Sequence, residues 1–198
     1  MKHLTIAILV FLTIQTCIGQ TEKKQDYSAL FKTADSINKL GKVFTIDNTL
    51  TGKLSKLDKL LPSEYFTESI HLFEADKFED ASVVYYIGFL RHKYCCNADP
   101  SYAPNYDWSV AESMQATYGK KIILFLKTNI DRYISVINTA TDYCQKNDYL
   151  FFSKQKSIEK YNNSIDALIN LKCDYSKNKD AYIKQWATER TSLLLESK

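Results

Sequence analysis

Glycine is scarce in this chain, with five residues in 198, and no two of them are adjacent. A phosphate cradle needs clustered glycines whose N–H groups can face the anion, so Gly-rich nucleotide loops are excluded. Histidine is rarer: beyond residue 19 only His71 and His92 remain, and no Cys-x-x-Cys occurs. Metal-ligand spacing is therefore missing, and no metal or other cofactor is expected. Arginine is confined to Arg91, Arg132 and Arg190. Lysine supplies the other basic charges, mixed with Asp and Glu, and the formal charge is only +3. That balance does not suit a nucleic-acid partner. Beyond residue 19 no apolar run reaches the roughly 20 residues of a membrane span. No stretch sustains the apolar–polar alternation of a strand either. What remains is an all-α chain, a single-domain bundle of about seven helices with short connections. A hydrophobic content of 45% suits one sizeable core.

The one long apolar run is at the start. Lys2 and His3 precede an apolar stretch from Leu4 to Ile14, and Thr16-Cys17-Ile18-Gly19 supplies small residues after it. This is the pattern of a secretory signal peptide over residues 1–19, with cleavage after Gly19 and Gln20 as the new N-terminus. The alternative is a lipid anchor on Cys17, although Ile14-Gln15-Thr16 lacks the small residues such a site prefers. Export, periplasmic or secreted, sets an oxidising context for Cys95, Cys96, Cys144 and Cys173. A bond within the vicinal pair would be strained, so Cys144 to Cys173 is the simplest pairing. The competing reading has all four as small buried side chains.

Residues 20–26 read as a polar tail and 27–198 as the helical domain. Tyr27, Leu30, Phe31, Ala34, Ile37 and Leu40 share one helix face, and Gly41 stands where a left-handed cap belongs. Residues 43–51 read as extended or looped. Leu54, Leu57, Leu60 and Leu61 mark a short helix running up to Pro62. The centre of the chain is 63–94: a helix capped by Ser63, a turn at Ala75-Asp76-Lys77, and a second helix from Phe78. Gly88, inside that helix, calls for a packing reason, because glycine costs about 1 kcal/mol there against alanine.

Phe78, Ala81, Tyr85, Gly88 and Phe89 run aromatic, small, aromatic, small, large apolar. Over about thirty residues this hairpin resembles the second half of a tetratricopeptide-type repeat. The resemblance implies a packed pair of helices. No second copy follows at a fixed period, and stacked repeats need about three units, so no peptide-binding solenoid is implied.

Residues 94–108, with Tyr94, Tyr102, Tyr106 and Trp108, read as an aromatic loop. Asp107 or Ser109 is expected to cap a helix over 110–127, broken by Gly119, which should cross the hairpin closely at Gly88. Further helices follow from Asn129, from Ser153 after an aromatic link at 149–152, and after a turn at Asp174-Tyr175-Ser176.

No constellation demands catalysis. His92 lies between Arg91 and Lys93, where cations suit a helix C-terminus on the surface. Glu74, Asp76, Glu79 and Asp80 cluster in a turn of the kind that is ordinarily solvated. The sequence therefore reads as a non-enzymatic binding protein with a protein partner, of the immunity or inhibitor type. Its expected surface combines Tyr85, Tyr86, Arg91, His92, Tyr102, Tyr106 and Trp108. The alternative is a small-molecule or peptide binder with an internal pocket near Gly88 and Gly119. A hydrolase would instead require a desolvated Glu or His in a cleft.

Overall fold

A long helix buried on nearly every side organises the chain. The computed structural model describes residues 26–41, 47–102 and 105–196. The expected leader, Cys17, residues 20–25 of the tail and 43–46 of the stretch expected to be extended or looped lie outside the described residues. Among those described there are eight helices and no strand, and none of the helices is long and apolar enough to cross a membrane. They are α1 (Ser28–Lys39), α2 (Asn48–Leu57), α3 (Pro62–Glu74), α4 (Phe78–Ala98), α5, α6 (Ile130–Lys146), α7 (Ile158–Lys177) and α8 (Lys179–Glu196). Helix α5 is continuous but composite: Tyr106–Met114, a π-helical turn Gln115–Gly119, then Lys120–Leu126.

Helix α4 carries six consecutive buried residues beyond Ser82, Val83 through Gly88, so it has no solvent face there. It packs on α3, the second half of α5, α6 and α7. Each large apolar side chain so buried contributes about 1.5–3 kcal/mol, which makes α4 the centre of the core. Helix α3 turns into it through Asp76, at φ 60°, with Lys77 N–H on the Leu72 carbonyl and Asp76 N–H on that of Phe73. That bond pair is the Schellman end of a helix, here with Asp in place of the usual glycine.

Both core glycines permit close approach, but not to each other. A methyl group on Gly88 would lie 2.5 Å from Tyr65 Cβ, so α3 is the helix that needs this gap. One on Gly119 would meet the Tyr85 ring, with Cζ at 3.1 Å. The π turn widens α5 there, and the Tyr85 ring occupies the space. The expected Gly88–Gly119 crossing is thus two separate contacts, Gly88 with Tyr65 of α3 and Gly119 with Tyr85 of α4.

Several expected boundaries move. Ser63 is not a cap: Pro62 takes the first helical position, and the Ser63 N–H goes to Asp107 Oδ1 at 3.2 Å. Residues 48–51 are helical, because Asp47 caps α2 through the Leu50 N–H. Tyr94 to Ala98 belong to α4 and Tyr106 to Trp108 to α5, capped by Asn105, so much of the expected aromatic loop is helical. The turn placed at Asp174 comes later, at Asn178, since Tyr175 is drawn inward by Tyr133, Tyr182 and Trp186. Gly41, at φ 62°, and Asn129, which accepts from the Arg132 N–H, end and start helices where expected.

Candidate functional site

The connections 58–61, 99–102 and 147–157 meet at one end of the bundle, and a buried ion pair lies beneath them. Arg91, fully buried on α4, donates from Nη2 to Asp58 Oδ1 at 2.9 Å and to the Asn147 carbonyl at 3.3 Å. Its Nη1 donates to the Tyr161 hydroxyl, which donates onward to the Cys144 carbonyl at 2.7 Å. The guanidinium carbon lies 5.0 Å from the Tyr149 ring centre and 5.5 Å from that of Tyr161. Asp58 accepts in addition from Tyr65, at 2.6 Å, and Tyr143, at 2.7 Å. Burial works against the Arg91 charge, but Cys144, Tyr161 and Asp58 around it outweigh that and hold its pKa above the ordinary arginine value. Burying two charges costs several kcal/mol, so such a pair specifies position more than it adds stability.

What it positions is two connecting segments. The Asp58 carbonyl accepts from the Phe151 N–H at 2.8 Å, and the Leu60 carbonyl from the Tyr149 hydroxyl at 2.7 Å. Asp148 closes its own loop, accepting from the N–H groups of Tyr149 and Lys154, both at 2.8 Å, and from the Ser153 hydroxyl. Burial alone would raise its pKa, yet these bonds lower it below the usual carboxylate value. Held in this way, the two segments turn Tyr149 wholly inward and leave Leu60, Leu61, Leu150 and Phe151 exposed, by 44%, 39%, 59% and 42%. Large apolar side chains grouped on one exposed surface mark an interaction site more often than scattered ones do.

A second polar chain ties in the start of α5. His92 Nδ1 lies 3.2 Å from the Tyr102 oxygen and Nε2 2.9 Å from Glu112 Oε1. Tyr102 gives its one proton to Asp107, whose other oxygen holds the Ser63 N–H. The His92 ring is thus held at both nitrogens, between the Tyr102 hydroxyl and the Glu112 carboxylate. Burial and then Asp107 push the Tyr102 pKa far above its ordinary value. The chain joins the N-termini of α3 and α5, and Tyr106 stands 85% exposed beside it.

The seven residues expected to form a binding surface are therefore mostly interior. Tyr85, Tyr86, Arg91, His92 and Tyr102 are buried, Trp108 is half-buried, and Tyr106 alone is fully outside. The reason is the central position of α4, which leaves only Lys93 and Asn97 of its residues exposed. His92 is a strut in the core rather than a surface cap, and His71 is exposed. Burial raises the Tyr85 pKa to about 12, and the Tyr86 and Tyr133 hydroxyls meet at 2.5 Å. Cys144 and Cys173 are not bonded: all four described cysteines are free, with Cys144 fully buried and Cys173 exposed. The space beside Gly88 and Gly119, where an internal pocket was expected, is filled by Tyr65, Phe66 and Tyr85. Among the described residues no three His, Cys, Asp or Glu side chains gather into a group that could hold a metal ion.

The sequence pattern did not single out Asp58, Leu150 or Phe151, and it put Leu60 and Leu61 on a helix that in fact ends at Leu57. The available signal was local, since two short links between helices each carry consecutive large apolar residues. Compared with known protein families, with characterised proteins and with solved structures, the chain shows no significant match.

Proposed function

We propose that this chain is an exported helical protein that acts without catalysis, by binding a protein partner at the loop end of the bundle. The observation that carries the reading is the exposed group Leu60, Leu61, Leu150 and Phe151, on segments anchored by the Arg91–Asp58 pair. An apolar surface already held in shape loses little conformational entropy on association, which favours affinity. Lys59, Lys154 and Lys156 lie on the same segments, while Asp148 is engaged with backbone N–H groups. The partner that suits this end has an apolar centre and an acidic rim. Stoichiometric binding of an inhibitor or immunity type is the form this takes. Export is supported by the basic start, the apolar run and the small residues of 1–19.

The test is affinity capture from the source cells and their medium, with processed chain 20–198 beside its Leu150→Asp/Phe151→Asp variant. Both positions are exposed, so the variant should melt as the parent does. Loss of two central apolar contacts costs about 2 kcal/mol or more each, enough to empty the capture. Equal capture by parent and variant overturns the assignment of the surface. Binding of the parent to anionic lipid vesicles, with no protein captured, overturns the protein-partner reading.

A further inference from the structure

On the far side of the bundle, away from this surface, α8 stands off the rest of the chain over an apolar groove. We propose that this groove binds a monocarboxylate with an apolar body, of the medium-chain fatty-acid class. Its volume is about 350 Å³, within the roughly 300–1,000 Å³ of small-molecule sites. Phe31 from α1, Leu124 from α5, Ile130 from α6 and Trp186 from α8 form its floor.

Ion pairs across the groove set its width. Lys127 reaches both oxygens of Glu189, at 3.0 and 2.7 Å, and Arg190 both oxygens of Asp35, at 2.8 and 2.6 Å. These two cations are occupied. Lys179 is different: it meets Asp131 through one oxygen at 2.6 Å, and the two side chains are 41% and 73% exposed. An ion pair so exposed is worth at most about 1 kcal/mol, and an ammonium has three donors. Lys179 can therefore take a second carboxylate. Lys127 and Arg190 each face a carboxylate through both of its oxygens and Lys179 faces Asp131 through one, so the charges around the groove balance and the preference for a carboxylate rests on the spare donors of Lys179. The head group belongs at Lys179 and the apolar body on Ile130 and Trp186.

Trp186 makes the groove directly observable. Trp108 is the only other tryptophan, so a Trp108→Phe variant of the processed chain reports from the groove alone. The probe is sodium decanoate, kept below its micelle concentration, with decanol as the uncharged control. The expected result is a saturable change in Trp186 emission with decanoate and weaker binding of decanol. Lys179→Ala should weaken decanoate about two- to fivefold and leave decanol unchanged. Ala187→Trp, which fills the groove from an exposed position, should abolish both when decanoate is followed calorimetrically. No saturable response to decanoate overturns the proposal. Equal affinity for decanol, or indifference to Lys179→Ala, overturns the carboxylate assignment.

Discussion

Removing the charge of Asp58 while keeping its shape should damage this protein more than removing its partner as well. In Asp58→Asn the Arg91 guanidinium stays buried with no carboxylate, and arginine cannot shed its proton to escape. Breaking a buried pair in this way costs about 3–5 kcal/mol, against a total stability of about 5–15 kcal/mol. Adding Arg91→Met removes the stranded charge. The amide oxygen that Asp58→Asn introduces still accepts from one of the tyrosines that Asp58 served, and the Tyr161 hydroxyl keeps the Cys144 carbonyl. The double variant should therefore be more stable than Asp58→Asn alone, with a coupling of about 2–3 kcal/mol. Urea unfolding followed by far-ultraviolet circular dichroism reads all four proteins. With a slope of about 1–3 kcal/mol/M, Asp58→Asn should lower the midpoint by at least about 1 M. An Asp58→Asn protein within about 1 kcal/mol of the parent, or costs that simply add in the double variant, would refute this account.

The glycines give a paired prediction. Gly88→Ala sets a methyl against Tyr65 Cβ, next to the α3 backbone, and should cost about 3 kcal/mol, whereas Gly119→Ala meets the movable tip of Tyr85 and should cost about 1 kcal/mol. Similar midpoints for the two in urea would contradict the packing described. The tyrosines predict behaviour in alkali. Burial raises Tyr65, Tyr102, Tyr149 and Tyr161 far above 10 and Tyr85 to about 12. The fold thus favours their protonated forms: this stability is complete below the unfolded value near 10 and is lost as pH rises through the folded values. Tyrosinate absorbance should rise cooperatively with loss of helix above pH 10; a smooth, independent titration of all fourteen near pH 10 would show these rings to be exposed.

The helices were legible because their signals are local. Phe66 and Phe73 recur at helical spacing, and Gly41 and Asn129 end and start helices by backbone chemistry that needs no partner. The site was not legible, because its causes lie far apart in the chain. Arg91-His92-Lys93 looks like a solvated helix end, yet only Lys93 is outside. What places Arg91 inside is Asp58, 33 residues earlier, together with rings from Tyr149 and Tyr161. One clue lay in composition. In a lysine-rich chain the three arginines each pair with a carboxylate on another part of the fold: Arg91 with Asp58, Arg132 with Glu79 and Arg190 with Asp35. A planar guanidinium suits such fixed sites better than an ammonium does, so a rare arginine among lysines carried information that its neighbours did not. The aromatic residues of 94–108 misled for the converse reason. Tyr94 and Tyr102 serve the core, and the exposed apolar side chains are on the plainer links at 60–61 and 150–151.

Native-state hydrogen exchange of the Phe151 amide tests most directly whether the apolar end stands ready before any partner arrives. Its N–H donates to the Asp58 carbonyl, directly above the buried ion pair. In the free protein it should exchange as slowly as amides in the middle of α4, opening only with the whole fold. Exchange at the rate of an unstructured peptide, while α4 stays protected, would mean that the ion pair holds no surface in place.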